Sequence, residues 1–178
     1  ASVELPPSLT SISPSTFRNC NALTRIEIPS SVASIGREAF EECRALAVVE
    51  FKSQSSVASI GIHAFNKCIA LASVEIPSSV TNIRTAAFFG CTALASVTIP
   101  SSVTSIGDNA FTQCTALASI EIPSSVTNIG EGAFAHCAAL KDVFLGQQIT
   151  TIKPYVFFKC SAICRVTLPE SVAIICKE

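Results

Sequence analysis

Apolar residues recur along this chain with a period rather than in blocks. One unit reads Leu94-x-x-Val97-x-Ile99-Pro100-Ser101-Ser102-Val103-x-x-Ile106-Gly107-x-x-Ala110-Phe111-x-x-Cys114-x-Ala116 and leads directly into Leu117 of the next. Phe stands at 17, 40, 65, 88, 111, 134 and 157, a step of 23 residues broken only by a step of 25 between Phe40 and Phe65. Each Phe is followed three residues later by Cys, at 20, 43, 68, 91, 114, 137 and 160. Self-similarity at such a spacing is what a coil stacked on copies of itself produces. The two extra residues of the long step fall where Lys52-Ser53-Gln54 replaces the usual Pro, in a turn where length changes are tolerated.

Each unit contains three kinds of local pattern. Val97 and Ile99 alternate with Ser96 and Thr98, the period of two that marks a strand, and Pro100-Ser101-Ser102 ends it. Val103 and Ile106, apolar at a spacing of three, fit either a second short extended stretch or a bend. In the remaining stretch, Phe111, Cys114 and Leu117 stand at i, i+3 and i+6, which predicts a tight helical or 3-10 turn. No single coil can hide its apolar side, so stacking must bury it, with strands in parallel register about 4.8 Å apart. Leu (23, 46, 71, 94, 117, 140), Val or Ile (26, 49, 74, 97, 120, 143, 166), Phe and Cys then each form a column. Gly follows the Ile at 36, 61, 107 and 130, but Ser13, Arg84, Lys153 and Cys176 fill the same slot, so a positive φ is not required there.

The run LxxVxIPSSVxxIGxxAFxxCxAL, matched by seven successive units from about Val3 to Ile175, resembles the BspA-like, or Treponema-type, leucine-rich repeat. Thr16 and Val156 replace Ala before Phe, Ile163 replaces Leu and Gly146 replaces Pro, and none of these breaks an apolar column. The resemblance implies an α/β-type repeat solenoid: a right-handed leucine-rich-repeat coil with a parallel concave β-sheet, short extended arms and short helical or 3-10 turns. Residues 1–178 then form a single domain of about eight coils. It also implies a scaffold used at microbial or protist cell surfaces, or secreted, for adhesion and for binding a protein or a host or extracellular-matrix ligand. The motif encodes scaffold, so it transfers no functional residue.

Composition removes several classes. A formal net charge of -1 with 14% charged residues leaves no footprint for nucleic acid or an anionic membrane. Apolar runs such as Ala45 to Val49 and Val172 to Cys176 are five residues long, far below the roughly 20 that span a bilayer, so direct membrane insertion is not expected. The chain holds no Met and opens without a signal-peptide pattern, and neither end shows a polar capping repeat. A fragment of a longer protein is therefore expected, or ends covered by partner contacts, including end-to-end or face-to-face self-association.

If Val97 and Ile99 face inward, two outward columns follow. One runs Glu4, Glu27, Glu50, Glu75, Thr98, Glu121, Phe144, Thr167, and its neighbour Arg25, Val48, Ser73, Ser96, Ser119, Asp142, Arg165. Like charges about 5 Å apart on adjacent strands repel by a few tenths of a kcal/mol each, strain that a cationic partner would relieve. The candidate ligand face is accordingly Glu27, Glu50, Glu75 and Glu121, with Arg25, Asp142, Phe144 and Arg165 adding specificity toward the ends. The opposing explanation is repeat duplication, which copies Glu without selection for it. Seven column cysteines read best as buried thiols, since the chain has no Cys-x-x-Cys pair for a metal. Cys164 and Cys176 lie off the column, where a disulfide sealing the last coil is conceivable. His63 and His136 occupy variable, solvent-type slots without a fixed nucleophile or carboxylate partner, so neither catalysis nor a cofactor is expected. An alternative function rests on Thr81, Thr104, Thr127 and Thr150, one repeat apart, whose hydroxyls would line a flat array able to order water or ice. Ala33, Ala58 and Ala173 weaken that array.

Overall fold

The structure is a computed structural model, and it describes residues 2–176. Sixteen short strands among these residues, β1 to β16 in chain order, alternate between two sides of a stack of eight turns. The odd-numbered strands are β1 (Ser2–Val3), β3 (Arg25–Ile28), β5 (Val48–Phe51), β7 (Ser73–Glu75), β9 (Ser96–Thr98), β11 (Ser119–Glu121), β13 (Asp142–Phe144) and β15 (Arg165–Thr167). The even ones are two residues each: β2 (Ser11–Ile12), β4 (Ser34–Ile35), β6 (Ser59–Ile60), β8 (Asn82–Ile83), β10 (Ser105–Ile106), β12 (Asn128–Ile129), β14 (Thr151–Ile152) and β16 (Ile174–Ile175). All pairing is parallel and joins equivalent residues of neighbouring turns, as in Val74 to Val97 or Ile83 to Ile106. The stretch that the sequence left open is thus a strand, and β2 to β12 form one uninterrupted ladder of six.

The expected helical turn is absent. No helix occurs among the described residues; the stretch from Asp108 to Gln113 is a string of turns. Ala110, Thr112 and Cys114 donate their N–H to the carbonyls of Gly107, Asn109 and Phe111, three residues back. The intervening Asn109, Phe111 and Gln113 instead donate to Glu131, Ala133 and Ala135 of the following coil. Half of the donors leave the coil, so no helix can close. Asn109 (φ 56) and Gln113 (φ 63) each sit at the third position of such a turn, in the left-handed region that type II turns require there. Glu38, Glu42, His63, Lys67, Ala86, Gly90, Gly132, His136, Tyr155 and Lys159 repeat this in other coils. A turn tract and a helical turn both advance about three residues per turn, which is why one apolar spacing served both.

The turn tract is polarised. Asp108, Ala110 and Thr112 offer their carbonyls to Ala86, Phe88 and Gly90 of the coil before, while the next N–H of each peptide unit points to the coil after. Three peptide units per coil therefore align along the stack, unlike the strand sides, where directions alternate.

Inside, the seven phenylalanines form the stack that the period predicts. Successive rings lie 5.2 to 5.9 Å apart with planes within 15°. Phe40, Phe65, Phe88, Phe111 and Phe134 are fully buried. Beside them the column thiols donate to phenylalanine carbonyls of the preceding coil: Cys91 Sγ to Phe65, Cys114 Sγ to Phe88 and Cys137 Sγ to Phe111, at 3.2, 3.3 and 3.2 Å. The Phe111 carbonyl also accepts from the Cys114 N–H at 3.2 Å, so both of its lone pairs are used in a dry core. The Pro-Ser-Ser-Val segment closes a turn through the Val103 N–H to Pro100. The second Ser clamps it to the coil before, Ser102 Oγ donating to the Val80 carbonyl at 2.7 Å. The glycines after Ile have no positive φ. Glycine suits the slot because a Cβ on Gly107 would lie 2.5 Å from the Thr85 nitrogen.

Candidate ligand-binding face

The odd-numbered strands place all eight candidate residues on one side of the stack. Their inward neighbours Ile26, Val49, Val74, Ile120 and Val143 are buried, which forces the alternate positions outward. Glu27 and Glu50 stand opposite each other in register. The expected strain between them is not left for a partner to relieve. Lys52 Nζ lies 3.0 Å from Glu27 Oε1, and Arg25 pairs with Glu50. Lys52 stands in the slot of the usual Pro, so the long coil carries its own counter-charge. All four side chains are about half exposed, and such pairs contribute at most about 1 kcal/mol.

Further along, the face changes character. No residue pairing joins β5 to β7 or β9 to β11, so the ladder of paired strands is interrupted twice. A notch of about 510 Å³ opens at the first break, lined by Glu50, Lys52, Ser73 and Glu75. A second of about 470 Å³ opens at the other, lined by Ser96, Thr98, Ser119 and Glu121. Among the described residues neither Glu75 nor Glu121 has an ion-pair partner, and both are exposed. Beyond Glu121, Phe144 is 39% exposed, and Asp142 meets its register partner Arg165 at 3.8 Å. The eight residues therefore form three groups: a self-neutralised cluster, two carboxylates at notches, and an aromatic residue beside an ion pair.

A family signature described as BspA type leucine rich repeat region (6 copies) matches residues 1–93 and again 87–178. The chain belongs to the BspA-type leucine-rich-repeat family. Among solved structures it is similar to the leucine rich repeat protein of T. pallidum, 29% identical with a TM-score of 0.70 over 98% of this chain and 72% of that one. It is also similar to a leucine-rich repeat protein from Eubacterium ventriosum, 20% identical with a TM-score of 0.55 over 98% and 72%, a likeness of fold alone. A comparison with curated proteins gives no match.

Because the BspA-type repeat prescribes the columns, individuality sits in the slots between them. Cys164 and Cys176, the candidates for a bridge, are free thiols in the structure, as are the other seven. Cys164 adjoins β15 and Cys176 follows β16, so they stand on different ladders. His63 and His136, expected toward solvent, are half-buried in left-handed slots of the turn tract. The Thr column is exposed as expected, but Thr81, Thr104 and Thr127 turn their hydroxyl donors onto carbonyls of Ala58, Thr81 and Thr104. Three of the four hydroxyls of that array are thus turned inward onto backbone.

The sequence reading missed a polar pair under the turn tract of the BspA-type stack. Asn66 Nδ2 donates to Glu41 Oε1 at 2.7 Å, and Arg18 Nε lies 2.9 Å from Glu41 Oε2, with Glu41 and Asn66 both buried. The slot after Phe holds Arg18, Glu41, Asn66, Phe89, Thr112, Ala135 and Phe158, so no period announces the pair. Only the vertical stacking of Glu41 on Asn66 does.

Proposed function

We propose that this BspA-type protein is a non-catalytic interaction scaffold, at a cell surface or secreted, that receives a basic segment of a protein or extracellular-matrix ligand along its odd-strand ladder. The observation that carries this reading is the pair of notches, each with an unpaired carboxylate, in an otherwise continuous strand face. Glu75 and Glu121 are the anchors for the ligand's cations, and Phe144 supplies an apolar contact. Asp142 with Arg165 sets orientation, while Glu27 and Glu50, already neutralised by Lys52 and Arg25, contribute less than the sequence suggested. Surface plasmon resonance against a panel of immobilised extracellular-matrix proteins tests it. Affinity should fall as salt rises, and the double substitution E75A/E121A should weaken binding roughly tenfold and flatten the salt dependence. Replacing Glu27 and Glu50 should do less. Binding indifferent to E75A/E121A and to salt would sink the assignment of this face.

A further inference from the structure

The turn side carries a depression of its own, remote from the notches of the strand face. Its floor is made by two small residues, Gly132 and Ala135, in columns that otherwise hold larger side chains. Gly132 lies in the left-handed region at φ 62, and a Cβ there would meet Asn109 Oδ1 at 2.7 Å, so the Asn109 carboxamide lies across the glycine. Thr112, itself buried, donates its one hydroxyl hydrogen to the Gly132 carbonyl at 2.6 Å, with Asn109 Oδ1 3.2 Å from the same oxygen. One wall is aromatic: His136 and Tyr155 each meet Phe158 edge to face, at 5.4 and 5.6 Å. The hollow is about 390 Å³ and adjoins a second, of about 550 Å³, across a shared rim of Gln113 and His136.

We propose that this trough binds an uncharged saccharide of two or more units. A pyranose ring has an apolar C–H face and an edge of hydroxyls. The hollow matches it with an aromatic wall, Tyr155 exposed and His136 and Phe158 half-buried, in the same lining as the amide and carboxylate groups of Asn109, Gln113 and Glu131, which can donate to and accept from paired hydroxyls. A cationic ligand fits less well, because Lys159 Nζ already lies over the Phe158 ring, 5.3 Å from its centroid. Glu131 and Lys159 also cancel in charge, which disfavours an ionic guest of either sign. Tyr155 occupies a slot that is left-handed in every coil where it is described, and it is 43% exposed, which leaves an aromatic ring in water beside the hollow.

The chain has one Tyr and no Trp, so its intrinsic fluorescence reports this wall alone. Titration with lactose, maltotriose and N,N′-diacetylchitobiose should change Tyr155 emission for at least one of them, and that sugar should show saturation transfer in NMR. Ala135→Phe fills the floor with a side chain the same column already carries at Phe89 and Phe158, and should weaken the response by about tenfold or more. Asn109→Gly, which removes the rim amide while keeping the left-handed backbone free, should do the same if Ala135→Phe fails to fold. Binding to an immobilised N-glycosylated protein, whose glycans begin with N,N′-diacetylchitobiose, is then measured by surface plasmon resonance before and after enzymatic deglycosylation. A response to free sugar supports the site directly, and a response to the glycoprotein alone, lost on deglycosylation, assigns it to chain-borne glycans. Silence in both arms, or a response unchanged in the folded variants, overturns the proposal.

Discussion

At the scale of single residues, the cysteines show how a repeat position is chosen. The core needs a small apolar side chain that can still donate once, to the second lone pair of a phenylalanine carbonyl, and a thiol does both. Burial pushes the Cys43 thiol up to about 11 and the Cys114 thiol up to about 12, from an ordinary 9.0. Cys68 and Cys91 are raised by the same cause. These thiols should resist iodoacetamide at pH 8 while Cys164, which is exposed, is alkylated, as mass spectrometry of the native protein would show. The linkage has a definite sign. A thiol whose pKa is higher in the folded state favours folding fully below the unfolded value of 9.0, and that advantage drains away as pH rises toward about 11 and 12. Thermal melts followed by circular dichroism should therefore show a falling midpoint above pH 9.0, and Cys43→Ala with Cys114→Ala should shallow the fall. Phe88 lies between two rings in the buried stack, and Phe88→Ala should cost about 3–5 kcal/mol in urea denaturation.

Elements differ in how openly the sequence declares them. The strand of Val97 and Ile99 was legible because its two faces meet different media, and the columns were legible because vertical neighbours are alike. The turn tract was not. Its apolar spacing of three is common to helical and tandem-turn backbones, and the slots that decide between them hold Ser, Asn, Glu, His, Lys, Ala, Gly, Gln and Tyr, with only two glycines to betray a positive φ. The decision is made by hydrogen bonds to the next coil, which no single unit contains. Left-handed non-glycine residues are strained, and the strain is testable where no other contact is at stake. Gln54, exposed in the long turn at φ 59, should yield about 1 kcal/mol of added stability when changed to Gly, measured by chemical denaturation. The glycine slot after Ile is independent of φ, as its Ser13, Arg84 and Lys153 occupants imply, yet its basis, the approach of the neighbouring coil's backbone, exists only once the coils are stacked.

For the whole molecule, each coil contacts chiefly its neighbours, so the stack behaves as a one-dimensional array. Excising residues 94–116, one full unit, should leave a cooperatively folding solenoid in which Phe88 stacks on Phe134, shortened by about 4.8 Å in small-angle scattering. Removing half that length should abolish the cooperative transition, because every column would lose its register. The candidate face was only partly legible at this scale. Its eight residues share one side as the alternation required, but the interruption of the ladder at β5/β7 and β9/β11, and with it the distinction of Glu75 and Glu121 from Glu27 and Glu50, belongs to the assembled sheet.

The sequence alone determined the period, the identity of the columns, the strand side and the family, because each follows from which residues are apolar and how often they return. The tertiary structure decided the path of the turns, the pairing of charges across coils, and the hollows on both faces. Those depend on contacts between residues 20 or more positions apart, where two side chains or two backbones compete for the same space, and a pattern read along the chain carries no such distance.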